Sequence, residues 1–311
     1  MIYTVTLNPA LDRELLVPSL EDQEMLRASE VRVDYGGKGF NVSRMLAALG
    51  APSVALGFVG GFTGAALRAG LEGLGIATDL TPIAGETRTN VSIVSADQGR
   101  VIKVNEPGPP VSAEEIGALL GRVRALARPG DWWVLAGSLP PGAPPAIYAE
   151  IIAAAQAAGG RAVLDTSGAA LRSGLAARPF LVKPNGEEAA ALTGLPVGDR
   201  AQARVAAAAI SGPEWVAISL GADGALISGA GGYWHASSPP VRLANPVGAG
   251  DALVAGLVWR LSLGDPPGEA LRWGVACGAA AAASPGTGQG SPAQVADLAG
   301  RVALEPQALH H

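Results

Sequence analysis

Asn245-Pro246-Val247-Gly248-Ala249-Gly250-Asp251 runs directly into the apolar stretch 252–263. Together they read as a glycine turn that opens a helix. Glycines at a helix start let the backbone approach a ligand and turn successive free N–H groups toward it. The helix dipole adds positive potential at the same point. Asp251, in the first turn, stands where a base beside an anion cradle would stand. The combination suits phosphoryl transfer: the amides of Gly248, Ala249 and Gly250 hold the moving phosphoryl, and the carboxylate takes a hydroxyl proton. A plain glycine-rich loop, with an Asp favouring the dipole, fits the same residues, so the rest of the chain has to decide.

Outward from that turn, short apolar runs alternate with helical ones along the whole chain. Strands are expected at 2–7, 54–59, 132–136, 162–165, 180–183, 215–219 and 225–228. They lack the polar alternation of half-exposed strands, as expected where both faces are covered. Helices are expected at 40–49, 63–73, 113–127, 145–158, 186–193, 200–210, 249–263 and 267–283. In the first, Val42, Met45, Leu46 and Leu49 form one apolar face. This βαβα order predicts an α/β fold, a mostly parallel sheet with helices on both sides. Segments 11–35 and 82–105 break the rhythm. Val31-Arg32-Val33-Asp34 and Thr89-Asn90-Val91-Ser92-Ile93 alternate, which predicts a small sheet with one solvated face. We expect a single domain over 1–311 with a small β-flap formed by these two insertions.

Composition removes several classes of function. The 311 residues are 49% hydrophobic and 16% charged, enough apolar material for a large core. The formal charge of −5 comes without the basic stripe that a nucleic-acid binder needs. The single cysteine, Cys277, rules out a disulfide framework and a thiolate zinc site. His235 is the one internal histidine; His310 and His311 end the chain as a tag remnant would. Catalysis must therefore rest on carboxylates, Lys or Arg, and backbone amides. The N-terminus lacks a signal-peptide pattern. The uncharged stretches 45–67 and 273–296 are broken by Pro and Gly, so no membrane span is expected and a cytoplasmic protein is the default.

Other motifs carry partial signals. Tyr35-Gly36-Gly37-Lys38-Gly39-Phe40-Asn41-Val42 puts a cation and an amide in a glycine turn before a helix. It is not a dinucleotide fingerprint, because Val42 takes the third glycine position and no acidic residue stands about twenty positions on. Of the 22 basic residues only Lys38, Lys103 and Lys183 are lysines, and each falls in a stretch singled out here. Lys183-Pro184-Asn185-Gly186-Glu187-Glu188 follows a strand. Asn185 and Glu188 could hold a hydrated magnesium near phosphates; the same spacing fits a helix capping box. Ser219-Leu220-Gly221-Ala222-Asp223-Gly224 fits a ligand-binding turn at a strand's carboxyl end or a plain hairpin turn. Arg88 suits a phosphate through its planar fork, or is a solvated flap residue.

These motifs occur together and in order. Through TLNPALD (6–12), GGKGFNVSR (36–44), GETRTN (85–90), GSLPPG (137–142), LVKPNGEE (181–188), SLGADGA (219–225) and NPVGAGD (245–251), the chain resembles the ribokinase/PfkB carbohydrate kinases. Its branch looks like the 1-phosphofructokinases and tagatose-6-phosphate kinases. Asn245-Pro246-Val247 with Ser167-Gly168-Ala169-Ala170-Leu171 is more similar to the latter. The resemblance implies a ribokinase-like αβα sandwich of nine or so strands with a β-sheet lid, and ATP and Mg²⁺ as cofactors. Carried over by position, Asp251 is the base, and Gly248, Ala249 and Gly250 form the anion hole. Lys183, Asn185, Ser219, Gly221 and Gly224 belong to the nucleotide, and Glu188 with Asn185 to the metal through water. Asp12, Gly37, Lys38 and Asn41 contact the sugar, and Arg88 and Ser138 its phosphate. A homodimer through the lid is also implied.

The expected activity is ATP-dependent phosphorylation of a hydroxymethyl group of a ketohexose phosphate. Fructose 1-phosphate comes first as acceptor, then tagatose 6-phosphate and fructose 6-phosphate. A non-catalytic sensor of sugar phosphates or nucleotides would be expected to lose the base or the cradle, and both are present. A nicotinamide dehydrogenase rests only on Gly37-x-Gly39.

Overall fold

The computed structural model describes residues 1–20, 25–97 and 100–307. Residues 21–24 and 98–99 of the two expected flap segments, and His310 and His311, lie outside the described residues. The main sheet has ten strands. From one edge they are Ala77–Pro82, Ser53–Val59, Ile2–Thr6, Trp132–Ala136, Arg161–Asp165, Leu181–Val182, Trp215–Ser219, Ala225–Gly229, Gly232–Ser237 and Ala303–Gln307. The first seven run parallel, and the last three continue the sheet antiparallel. The mostly parallel α/β sheet expected from the sequence is present, one strand wider than the resemblance implied.

Side chains of a strand point alternately to the two faces, and here both faces are covered. Trp132, Val134 and Ala136 join one core, with Val42, Met45 and Leu46 and the helices Ala249–Ser262 and Pro267–Ala282. Trp133 and Leu135 join the other, with the helices Ala113–Leu126, Ile147–Ala157 and Arg200–Ala209. The result is three layers, helix–sheet–helix. Ala249–Ser262 and Pro267–Ala282 lie unusually close. A Cβ on Gly256 would stand 2.7 Å from the Trp273 carbonyl oxygen and from the Cys277 sulfur, so this contact requires glycine. Among the described residues no helix is long and apolar enough to cross a membrane.

A second sheet has the order Glu30–Gly36, Ala10–Val17, Arg88–Ser95, Val101–Asn105. Register assigns its faces. Val33, Arg13, Val91 and Val104 lie opposite one another, as do Val31, Leu15, Ile93 and Ile102. The other face carries Asp34, Asp12 and Asn90 in one row, and Arg32, Glu14, Ser92 and Lys103 in the next. The alternation predicted one solvated face. The arrangement differs: the polar face carries Arg88 and Asn90 of the cleft described below. Among the described residues the apolar face is covered near the body, where Tyr35 rests on Gly70. Farther out, Val31, Val33, Ile102 and Val104 are exposed.

Candidate active site

A cleft of about 1100 Å³ opens at the carboxyl ends of the parallel strands. Thr6, Gly137, Asp165, Lys183 and Ser219, each at or just beyond the end of a different strand, line its floor. This is where open α/β sheets bind ligands, because strand ends and helix starts meet there.

Asp251 sits in the first turn of Ala249–Ser262 and lines the cleft while being only 6% exposed. The preceding residue in the cap, Gly248, has φ +83, a left-handed conformation that a side chain disfavours. No atom lies within 4 Å of the position a Cβ would take there, so the turn presents bare backbone. Among the described residues the amides of Gly248, Gly250 and Asp251 have no backbone acceptor, whereas the Ala249 N–H donates to the Pro246 carbonyl at 3.3 Å. Three open amides therefore surround the helix start, and Ala249, expected to be part of the anion hole, already has a protein partner. The Asn41 Nδ2 donates to Asp251 Oδ2 at 2.8 Å. Burial, and next the nearby Asp165 charge, push the Asp251 carboxyl up to about 7, against the pull of Lys38, Asn41 and Lys183.

Asp165 is the residue sequence reasoning missed. Its carboxylate is 1% exposed and sits between two ammonium groups. Lys38 Nζ is 3.0 Å from Oδ1 and Lys183 Nζ 3.4 Å from Oδ2. Burial works to raise its pKa, but Lys183 and Lys38 outweigh burial and hold it low. Burial likewise disfavours charge on Lys38, yet Asp165 and Asp251 raise its pKa and keep it an ammonium. Two of the chain's three lysines are thus paired with Asp165. Lys103 is exposed on the small sheet and is not part of the cleft wall. A signal for Asp165 existed: a carboxylate ending an apolar parallel strand belongs at the ligand-binding edge.

The nucleotide-side candidates come together. Asn185, Glu188, Ser219, Gly221 and Gly224 all line the cleft. Asn185 and Ser219 form a parallel bridge that extends the two-residue strand Leu181–Val182, and the Ser219 N–H donates to the Pro184 carbonyl at 3.2 Å. The capping box is real: the Glu188 N–H donates to Asn185 Oδ1 at 2.8 Å, and the Asn185 N–H to Glu188 Oε2 at 2.9 Å. The cap uses one Glu188 oxygen, and the residue still lines the cleft. The Ser219–Gly224 segment is both a hairpin connection and a cleft wall. Beyond it Pro239, Val241, Leu243 and Ala279 make an apolar slot that the motifs did not announce.

On the opposite side Gly37, Lys38, Asn41, Arg88 and Ser138 line the cleft, and Asp12 does not. Asp12 lies behind Asn90, whose Nδ2 donates to Asp12 Oδ1 at 2.8 Å. Burial raises the Asp12 pKa; the Asn90 hydrogen bond, Arg88 and Arg44 oppose this, and Asp34 adds to it. Arg88 spends one donor each on the Pro9, Glu106 and Asn8 carbonyls, at 3.4, 2.8 and 2.9 Å. Of a guanidinium's five N–H donors, two remain. Three buried acceptor atoms on this wall, Thr6 Oγ1, Asn8 Oδ1 and Asn90 Oδ1, have no hydrogen-bond partner. Unpartnered acceptors beside the two remaining N–H donors of Arg88 fit a ligand that brings both hydroxyl groups and an anion.

Residues 6–294 match the model of the pfkB family carbohydrate kinases. A 1-phosphofructokinase of Xanthomonas campestris is 41% identical over 260 residues, 82% of this chain and 82% of that protein. Phosphofructokinase-2 of Escherichia coli superposes with a TM-score of 0.92 at 32% identity, covering 96% of this chain and 98% of that one. A ribokinase of Arabidopsis thaliana, at 22% identity and a TM-score of 0.78 over 96% of this chain and 98% of that one, shares the ribokinase-like fold. The chain belongs to the pfkB family of carbohydrate kinases.

Proposed function

We propose that the protein is an ATP-dependent kinase of ketohexose phosphates that converts fructose 1-phosphate to fructose 1,6-bisphosphate. The observation that carries the chemistry is Asp251, a buried carboxylate at a helix start with open amides around it. The choice of sugar is supported by the likeness to 1-phosphofructokinases and by Lys38 and Arg88 in the opposite wall.

The sugar phosphate lies against Arg88, Lys38 and Ser138, and the orphaned acceptors of Thr6, Asn8 and Asn90 receive its hydroxyl protons. ATP occupies the side of Ser219, Gly221 and Gly224, its base in the apolar slot and its phosphates toward Lys183 and Gly248–Asp251. Asp251 accepts the proton of the C6 hydroxyl while that oxygen forms its bond to the γ-phosphorus. The bond to the bridging oxygen breaks, and the electron pair leaves on ADP. The open amides stabilise charge on the phosphoryl oxygens as it develops. The small sheet acts as a lid whose polar face closes over the sugar and excludes water.

Among the described residues no three His, Cys, Asp or Glu side chains converge as a self-sufficient metal site. A mostly hydrated Mg²⁺ needs few carboxylates; Glu188, whose cap uses one oxygen, would hold it, and Asn185 would do so through water. When bound, the ion neutralises phosphate charge. A homodimer through the apolar face of the lid and a cytoplasmic location complete the reading; both substrates are charged and do not cross a bilayer unaided.

A coupled ADP-release assay over fructose 1-phosphate, tagatose 6-phosphate, fructose 6-phosphate and unphosphorylated fructose tests it. The expected order puts fructose 1-phosphate first in kcat/KM by at least about tenfold, a difference of 1.4 kcal/mol. Preference for unphosphorylated fructose removes Arg88 and Lys38 from phosphate binding.

A further inference from the structure

Arg44 ends the motif GGKGFNVSR yet has no place in the reading above. Its side chain is 10% exposed and reaches three separate parts of the molecule. Nη2 stands 3.1 Å from Asp34 Oδ1, on the polar face of the small sheet. Nη1 stands 2.7 Å from Thr287 Oγ1, in the segment after Pro267–Ala282, and 3.3 Å from Asn41 Oδ1. The same segment is tied to the phosphate-cradle turn, because Asn245 Nδ2 donates to the Gly286 carbonyl at 2.8 Å.

The contact with Asn41 has a chemical consequence. A carboxamide has an accepting end and a donating end, and its neighbours decide which way it faces. A guanidinium can only donate, so Oδ1 must face Arg44. That leaves Nδ2 to face Asp251, where it donates at 2.8 Å. Were the amide reversed, its oxygen would face the carboxylate and repel it whenever Asp251 is ionised.

We infer that Arg44 is a positioning residue that fixes the Asn41 amide so that it orients Asp251, and that it links this base to the small sheet through Asp34. The inference rests on the proposed role of Asp251 as base. The groups around that carboxylate are Asp165 from the strand Arg161–Asp165, Lys38 from the helix Lys38–Ala48 and Lys183 after Leu181–Val182, with Glu188 acting on Lys38. None of these depends on Arg44. Loss of Arg44 therefore removes one specific influence on Asp251, the correctly turned amide.

The test is a double-mutant cycle between Arg44→Met and Asn41→Ala, read as kcat for fructose 1-phosphate. Coupled neighbours deviate from additivity by about 2- to 150-fold. Arg44→Met is expected to lower kcat about tenfold in the wild-type background and less than about twofold in Asn41→Ala. KM for ATP stays unchanged. The acid limb of the kcat profile moves to higher pH in Arg44→Met, because a donor that favoured the ionised carboxylate is lost. Arg44→Lys keeps a cation but lacks the fork that reaches all three partners; it falls between wild type and Met, and it replaces Met in the cycle if Met does not fold. Equal losses in both Asn41 backgrounds, or an unmoved acid limb, overturn the inference. If the wild type phosphorylates none of the sugars, the functional reading fails by itself. The cycle is then read on melting temperature at pH 8, where non-additivity supports the positioning role and additivity overturns it.

Discussion

A buried carboxylic acid with a pKa near neutrality is poorly placed for stability and well placed for proton transfer. Efficient general bases titrate close to the working pH, and Asp251 is pushed up to about 7 by burial and by Asp165. Activity should therefore rise with pH through about 7 as Asp251 loses its proton. Asp251→Asn should lower kcat by about a hundredfold to ten-thousandfold, the usual worth of a general base. KM for the sugar phosphate should hardly move; turnover near the wild-type value would remove Asp251 from the role. The sign of the stability effect follows by linkage. The folded state holds the Asp251 proton more tightly than the unfolded chain, so between the ordinary carboxylate range and about pH 7 the folded state binds more protons and loses stability as pH rises. Asp251→Asn should then melt above wild type at pH 8, with the difference shrinking toward pH 5. Thermal melts across that range check it, and a variant less stable than wild type at pH 8 contradicts it.

At the scale of elements, several segments do two things at once. The helix Gly186–Thr193 starts with the Asn185–Glu188 capping box, and the same Glu188 lines the cleft. Glu188→Gln separates the functions, because glutamine can complete a capping box but carries no charge. The melting temperature should stay within about 2 °C of wild type, as a half-exposed change that keeps the cap and costs no more than about 0.5 kcal/mol implies. The Mg²⁺ concentration for half-maximal activity should rise several-fold. A fall in melting temperature with no change in Mg²⁺ dependence would make Glu188 a cap alone. Dual use also explains what the sequence could and could not reveal. Glycine turns with a flanking Asp, Lys or Asn were legible, since few backbones need such residues in a row. Six of the seven parallel strands were legible as apolar runs, because they are covered on both faces; Ala77–Pro82 was not, because as an edge strand it is half exposed and mixes Thr and Asp with Ala, Leu and Pro. Gly232–Ser237 and Ala303–Gln307 were not, because as outer antiparallel strands they mix Tyr, Trp, His and Glu with small residues. Asp165 stayed hidden inside a strand motif, its partners Lys38 and Lys183 lying 127 and 18 positions away in sequence. Asp12 was expected at the sugar and Asn90 was not; the two are cross-strand neighbours on the polar face of the small sheet, and of the pair it is Asn90 that lines the cleft.

At the scale of the molecule, the two faces of the small sheet pose unequal problems. The polar face has the cleft and its charges. The outer half of the apolar face has Val31, Val33, Ile102 and Val104 with 44 to 58% of their surface open. Apolar rows of this kind on a sheet with free edges favour association, and natural proteins cover or charge such edges. A second copy of the same sheet presents the same rows, so a two-fold pairing is self-complementary. The proposed homodimer therefore predicts that the wild type sediments as a dimer at micromolar concentration. Val33→Glu combined with Val104→Glu should give a folded monomer, because each charge would have to be desolvated within the interface. Both positions face away from the cleft, so the variant keeps its chemical groups. Any loss in kcat/KM for the sugar phosphate then measures how far the pairing holds the lid in place. A double variant that still sediments as a dimer moves the interface elsewhere. A monomer with unchanged kcat/KM shows that one small sheet closes over the sugar without its partner.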